Sequence, residues 1–550
     1  MEIKAVRRLG RFKDIAITLF RYGFDDVVER LDLPGKVLFE KIRKVDREMS
    51  TWERIRHMLV DLGPTYIKFG QIMSLRPDLI PRPLILELRK LQDEVAPVKY
   101  PEIQEVVEKS LQRPLSEIFS LFDEEPLAAA SLAQVHRAVL RENNEVVAVK
   151  VQRPKIRQII EPDLYILKLI AGQLHGRLEW SKIYNLPKLA EEVKKTLLRE
   201  LDFTREARHM KICRNNFSEV AEVYIPRLYE PYCSEHVLTM ELVEGIKMKD
   251  VGDDPEIDRE LLARRGLRLT VKQVLEDGFF HADPHPGNVM ILKDNVFCLM
   301  DWGMVGRLTR RTRYELIDLI NGVVDKDSER IEEILLDLAR VDGSRPAGSM
   351  EREILDILDI YHSLPIQNLN LGHLLLDITT MLRENNLRVP ADLAVMIKAL
   401  ITAEGTAREL YPELNVVEEA KPFVKQLAME RWKPQVLWRD LRRNFQTLFT
   451  LQKELPGKFR QIIEKIDRGE LNIRFQHANL AGLRNTLENI TNRLTLGIII
   501  AALIVASSMI ITTGVKPLLF GFPALGIIGY IVSGVLGLWL VVNIIRSRKF

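Results

Sequence analysis

From Leu494 to Val515, and again from Pro517 to Ile545, the chain carries no charged side chain. A helix crosses the hydrocarbon core of a bilayer with about 20 apolar residues, so each run is long enough to span one. The alternative is a pair of core helices buried in a soluble body. Gly529, Ser533 and Gly537 recur at four-residue spacing, which favours close packing of two apolar helices. Arg493 precedes the pair, Arg546, Arg548 and Lys549 follow it, and Lys516 alone lies between the runs. That charge pattern predicts both flanks on the cytoplasmic side of the inner (cytoplasmic) membrane. Ahead of the runs, residues 431–492 are basic and amphipathic, with Arg431-Trp432-Lys433, Trp438-Arg439 and Arg442-Arg443. They either pack on the body or lie on an anionic membrane surface.

With 550 residues the chain has room for two or three domains. A net charge of +3 argues against a dedicated nucleic-acid binder. Cys213, Cys233 and Cys298 have neither zinc nor disulfide-framework spacing and read as buried thiols. Met1 to Arg30 is charged throughout, so no cleavable signal is expected there.

The chemistry concentrates between His281 and Gly303, in HADPHPGNVMILKDNVFCLMDWG. Pro284, Pro286 and Gly287 restrict the loop that carries Asp283, His285 and Asn288. Val289–Leu292 and Val296–Met300, around Lys293-Asp294-Asn295, read as a short hairpin ending at Asp301-Trp302-Gly303. Two carboxylates and an amide thus meet at one end of a two-stranded unit. Hard oxygen ligands of this kind suit Mg²⁺ bound to nucleotide phosphates.

Asp283 and Asn288 have the Asp-x-x-x-x-Asn spacing of a kinase catalytic loop, and Asp301-Trp302-Gly303 stands where kinases have Asp-Phe-Gly. The opening is His281-Ala282-Asp283 rather than His-Arg-Asp. HADPHPGN resembles the signature of the UbiB/AarF/ADCK family, atypical kinase-like proteins linked to ubiquinone biosynthesis. The resemblance runs from about residue 15 to the C-terminus. It implies Asp283 at the catalytic-base position, with Asn288 and Asp301 holding Mg²⁺.

Upstream motifs appear in the family's order. Val147-Ala148-Val149-Lys150 follows a turn at Glu142–Glu145 and reads as the strand whose lysine orients the nucleotide phosphates. An alanine-rich loop, Ala128-Ala129-Ala130-Ser131, stands where a kinase has its glycine-rich loop. Its methyl groups limit backbone freedom and phosphate approach, and the loop is expected to be exposed. A helix start would also explain an alanine run. By motif position Glu206 is the partner of Lys150, and Asp202, four residues earlier, would share its helix face. Val237–Gly245 reads as a strand and turn resembling the interlobe connector, with backbone at Met240, Glu241 and Val243 meeting adenine. Lys68 and Gln71, in Lys-Phe-Gly-Gln, share a helix face, and Gly70 permits close approach of another backbone. The resemblance implies that Lys68, Gln71, Glu200 and Asp202 gate the site.

The expected fold is α+β: a two-lobed, predominantly helical protein-kinase-like fold with an N-terminal helical extension and a C-terminal transmembrane helical hairpin. The expected divisions are 1–100 for the extension, 101–243 for the small lobe with a helical insertion, and 244–430 for the large lobe. Residues 431–492 form the linker and 493–550 the hairpin. The resemblance implies an ATPase or phosphotransferase using ATP/ADP and Mg²⁺. Expected partners are a membrane lipid or quinone precursor and other quinone-biosynthesis proteins, with no nucleic acid. A conventional protein kinase and a non-catalytic nucleotide-binding scaffold remain open alternatives.

Overall fold

The computed structural model describes residues 2–30, 49–74, 76, 79–91, 95–175, 185–252, 257–339, 350–362, 371–385, 387, 389–430, 438, 481–519 and 521–546. The N-terminal extension is helical: α1 (Glu2–Arg21), α2 (Asp25–Arg30), α3 (Thr51–Leu62), α4 (Pro64–Ser74) and α5 (Arg82–Leu88). Ser50 starts α3 with a reciprocal cap, accepting from Glu53 N at 3.2 Å while Glu53 Oε2 accepts from Ser50 N at 2.9 Å. Leu59, Leu62, Tyr66, Ile67, Met73, Leu84 and Leu88 form the extension's core. A Cβ at Gly70 would collide with the methyls of Leu91 and Leu59. The expected backbone approach at this glycine is therefore an approach of leucine side chains.

Next come α6 (Tyr100–Leu111), α7 (Leu115–Ile118), β1 (Phe119–Phe122), β2 (Ala128–Ala129), β3 (Ala133–Leu140) and β4 (Val146–Gln152). Helices α8 (Ile156–Leu174), α9 (Leu186–Glu200) and α10 (Phe203–Asn216) lead to β5 (Val223–Tyr224) and β6 (Val237–Glu241). The antiparallel sheet has the order β1-β3-β4-β6, with β2 on β3. Side chains alternate across a strand. Val147, Val149 and Val151 thus bury one face against Ile103, Val107 and Ile118, and Ala148 and Lys150 lie on the other. The extension is pinned to this lobe where Arg11 Nε donates to the fully buried Asp163 of α8 at 2.7 Å.

The large lobe begins with β7 (Ile246–Lys247) and α11 (Arg259–Lys272), followed by a single π turn over Gln273–Asp277. The turn ends at Gly278, whose φ of 61° and crowding by Leu308 O disfavour any side chain. Strands β8 (Phe279–His281), β9 (Val289–Leu292), β10 (Val296–Leu299) and β11 (Val305–Arg307) follow. They pair as β5-β10-β9-β7 and β11-β8. Helices α12 (Arg310–Asp325), α13 (Ser328–Leu338), α14 (Glu351–His362), α15 (Leu371–Glu384), α16 (Ala391–Leu410) and α17 (Val416–Glu430) complete the body. Their apolar stripes share one core, including Leu267, Val271, Phe280, Ile331, Leu358, Met381 and Met396.

The C-terminal unit is a hairpin of α18 (Ala481–Thr512) and α19 (Ala524–Arg546), joined through a small β pair, β12 (Leu518–Leu519) and β13 (Phe522–Pro523). Only 6% of Leu494–Thr512 and 11% of Ala524–Val541 is buried, whereas the core helix of a soluble protein is mostly buried. The two helices pack where Gly529 faces Ser507, with Gly526 against Ile511 and Ser507 O. Ser533 and Ser507 are both buried. Gly537 has no neighbour near its Cβ position, so the close-packing surface is Gly526, Gly529 and Ser533. The basic linker lies outside the described residues apart from Trp438, which is exposed, and residues 481–492, which belong to α18.

Candidate active site

Lys150 projects from β4 into the cleft, where its Nζ donates to both Glu206 oxygens at 2.9 Å. Glu206 is buried one turn into α10. Helices α8 and α9 take up the long stretch of chain between these partners. Lys150 also reaches Asp301 Oδ1 at 3.4 Å. Burial, reinforced by the Asp301 charge, pushes the Glu206 carboxyl up to about 7 against the pull of Lys150. Asp301 and Glu206 together raise the Lys150 ammonium above its ordinary range, although burial opposes them. Lys150, with burial opposing and Lys68 assisting, holds Asp301 well below the usual carboxylate range.

Asp301 has φ +50°, a left-handed conformation that Asp tolerates because its short side chain bonds locally. Here Oδ1 accepts from Gly303 N at 3.2 Å. Trp302 is fully buried and anchors the turn, donating Nε1–H to Leu299 O at 3.2 Å. Its own carbonyl meets His209 Nδ1 at 2.9 Å, so the turn is tied to the helix that bears Glu206.

The Asp283–Asn288 loop is organised by His281, which is buried and neutral because burial lowers its pKa. Its Nε2 lies 3.1 Å from Met300 O and its Nδ1 accepts from Asp283 N at 3.1 Å, consistent with a single tautomer. Gln273 Oε1, placed by the π turn, accepts from His281 N at 2.8 Å. Asn288 donates Nδ2–H to Asp283 O at 3.3 Å, leaving Oδ1 for a metal. Asp283 itself meets Lys398 of α16, whose Nζ donates to Oδ1 at 2.6 Å. Burial works to raise the Asp283 pKa, but Lys398 outweighs it and holds the carboxyl below its ordinary range.

Among the described residues no three His, Cys, Asp or Glu side chains cluster as a metal cage. Mg²⁺ needs none: it takes one or two protein oxygens and completes its shell with phosphates and water. Asp301 and Asn288 fit that pattern.

The gating residues divide. Lys68 Nζ lies 2.9 Å from Glu200 Oε1, with both side chains largely buried. The other Glu200 oxygen is buried, and among the described residues no donor reaches it. Asp202, expected on the Glu206 helix face, is instead the N-cap of α10, its Oδ1 accepting from Thr204 N at 3.1 Å and Thr204 Oγ1 at 2.6 Å. Asx side chains favour that position because they satisfy a free N–H of the first turn. Gln71 spends its amide on Leu91 O at 3.2 Å, within the extension.

The alanine loop is a tight hairpin rather than a helix start. Ala128 and Ala129 pair with Val135 and Gln134, and Ala130 N donates to Ala133 O at 2.8 Å. Ser131 is buried, whereas Ala128 is exposed and Ala129 and Ala130 are half-buried, as expected of the loop. Arg153 clamps it, donating to Ala130 O at 2.7 Å and Ala96 O at 2.9 Å. In the connector, Met240 pairs with Ala148, and Glu241 N donates to Arg227 O at 2.8 Å. The Glu241 carboxylate accepts from Tyr224 OH at 2.6 Å.

Sequence reasoning missed Lys398, Gln273, His209 and Arg153. A lone cation in the apolar run Ile397-Lys398-Ala399-Leu400 was the available signal for Lys398.

A lysine–glutamate pair, an Asp-Trp-Gly turn and an Asp-x-x-x-x-Asn loop in one cleft, covered by added helices, define an atypical kinase-like protein. The family model for the ABC1 atypical kinase-like domain matches residues 90–335. Those for the UbiB helical domain and the ABC1/UbiB kinase-like C-terminal domain match 354–415 and 478–546. A Clostridium pasteurianum protein, described as an uncharacterized protein in the hydrogenase 1 5′ region, is 31% identical over 98% of this chain and 99% of its own. Proteins named probable protein kinase UbiB are similar in Tolumonas auensis, at 34% over 80% of this chain and 82% of that one, and in Pseudomonas fluorescens, at 33% over 86% and 89%. The chain belongs to the UbiB family of atypical kinase-like proteins.

Proposed function

We propose that the protein binds Mg²⁺-nucleotide in this cleft and acts as an ATPase or small-molecule phosphotransferase at the membrane, in support of isoprenoid-quinone (ubiquinone) biosynthesis. The observation that carries the reading is the contact of Lys150 with both Glu206 and Asp301 beside the Asp283 loop. Phosphoryl transfer depends mainly on positioning and charge neutralisation, and these groups supply both. In that arrangement Lys150 orients phosphates, Asp301 and Asn288 hold Mg²⁺, which neutralises phosphate charge when bound, and Asp283 accepts the acceptor's proton.

Water or a small acceptor is favoured over a protein substrate. The Lys68–Glu200 bridge and the Arg11–Asp163 bond hold the extension on the small-lobe helices, and Arg383 of α15 donates to Ile80 O at 3.3 Å. A peptide would have to displace these contacts. The exposed, uncharged hairpin supports integral anchoring in the inner membrane, with the kinase-like body on the cytoplasmic side. A membrane lipid or quinone precursor and other quinone-biosynthesis proteins are the proposed partners.

The test compares labelled-phosphate release by purified protein with the quinone intermediates of cells with and without the gene. Nucleotide turnover together with an accumulated intermediate is the expected result. Normal quinone profiles would remove the pathway assignment, and efficient labelling of a protein substrate would favour a conventional kinase.

A further inference from the structure

Lys398 comes from a helix beyond the strands and loops that make the cleft, yet it ends at the catalytic loop. Its side chain is 11% exposed, and its ammonium is 2.6 Å from Asp283 Oδ1. An ammonium has three N–H donors. Among the described residues, Asp283 accepts the one hydrogen bond Lys398 makes. Two donors of a nearly buried cation are therefore without a protein acceptor, a costly arrangement unless an anionic ligand takes them. Lys150 and Lys68 both act on Asp301, so the cations associated with the metal ligand come from β4 and α4. Lys398 supplies the cation in direct contact with Asp283, with Arg89 also acting on this carboxylate.

Resting on the nucleotide reading above, we propose that Lys398 is a catalytic residue that binds the terminal phosphate of Mg²⁺-ATP while holding Asp283 in place. In the step, the acceptor oxygen forms a bond to the terminal phosphorus. The bond from that phosphorus to the bridging oxygen breaks, and ADP leaves with its electron pair. The acceptor's proton passes to the free Oδ2 of Asp283. Lys398 stays protonated throughout and neutralises charge on the phosphoryl oxygens. α16 is then part of the active site as well as of the helical packing.

The experiment uses full-length protein in detergent and measures affinity for Mg²⁺-ADP and for Mg²⁺ with the non-hydrolysable β,γ-imido analogue of ATP. Lys398→Met should weaken the analogue by about 10-fold or more, the scale of a charge-assisted hydrogen bond, and leave ADP within about 2-fold. Phosphate release should fall by about 100-fold or more. Lys398→Arg should restore much of both. Should the Met variant fail to fold, Lys398→Gln, which keeps donors without charge, carries the same comparison. Equal weakening of both nucleotides would reduce Lys398 to a positioning role and overturn the proposal. Unchanged affinities, or faster turnover in Lys398→Met, would make the ion pair a bystander or a brake and overturn it as well. A wild-type protein that binds neither nucleotide would remove the nucleotide reading itself, and this proposal with it.

Discussion

Replacing Asp301 with Asn separates metal binding from fold stability. The substitution keeps the shape, and Asn tolerates the left-handed backbone at φ +50° as Asp does. In the ligand-free protein Asp301 pairs with Lys150 at 3.4 Å, but its side chain is 52% exposed. At that exposure the pair contributes on the scale of a surface ion pair, about 0.5–1 kcal/mol. Removing the charge also relieves its repulsion of Glu206, so the ligand-free variant should stay within ~1 kcal/mol of wild type. The holo state differs. A carboxylate lost from Mg²⁺ should cost at least the 10–100-fold typical of disturbing a metal site's outer partners. At a nucleotide concentration about 100 times Kd, wild type gains ~2.7 kcal/mol, and a Kd raised 100-fold leaves ~0.4 kcal/mol. At roughly 2 °C per kcal/mol for a body of this size, a shift of about 5 °C falls below about 1 °C. The assay is a thermal melt with ATP and Mg²⁺, with ATP and chelator as the control. A folded Asp301→Asn variant showing the full Mg²⁺-dependent shift would refute the metal assignment.

Lys150→Met leaves the buried Glu206 without its counter-charge and should cost about 3 kcal/mol in denaturant unfolding; adding Glu206→Gln should recover more than half, and simple additivity would show the pair is not coupled. Burial lowers the pKa of His136, His209 and His281. These imidazoles stay neutral when folded but protonate in the unfolded chain, so stability is retained above pH about 6.5 and lost as pH falls through that value towards the folded pKa. His136→Asn should flatten the slope by up to ~1.4 kcal/mol per pH unit, and an unchanged slope counts against the buried neutral state. Alkaline carbonate should leave the full-length chain in membranes, whereas a chain ending near Asn485 should be released from integral insertion; extraction of the full-length protein would end the hairpin reading.

Local signals exposed much of the architecture. Val147–Lys150 and Val289–Met300 were legible as apolar runs set off by turn residues, and each uncharged run falls mostly within one helix, Ala481–Thr512 or Ala524–Arg546. The departures arose where side chains had several possible uses. Asp202 was read by its spacing from Glu206, but the helix begins between them, and capping took its carboxylate. Gln71 shares a helical face with Lys68, yet its amide closes onto Leu91 O. Gly537 fits the four-residue pattern, while the partner helix meets Gly526 and Gly529. Periodicity places a residue on a face but does not say which neighbour occupies it.

Lys398 shows the limit most clearly. It lies 115 positions from Asp283, and no local pattern joins them. Ile397 and Ala399 beside it are buried, so a charge at this position of α16 has to be compensated within the protein or by a ligand. Asp283 answers half of that need. Being anionic, it offsets the ammonium, and its placement is fixed from behind by His281 and Gln273. A carboxylate placed only to stabilise α16 would need no such support from the π turn and the Met300 carbonyl. On the proposed mechanism the supported loop serves the chemistry at Asp283, and the burial of Lys398 follows from bringing a cation to that chemistry.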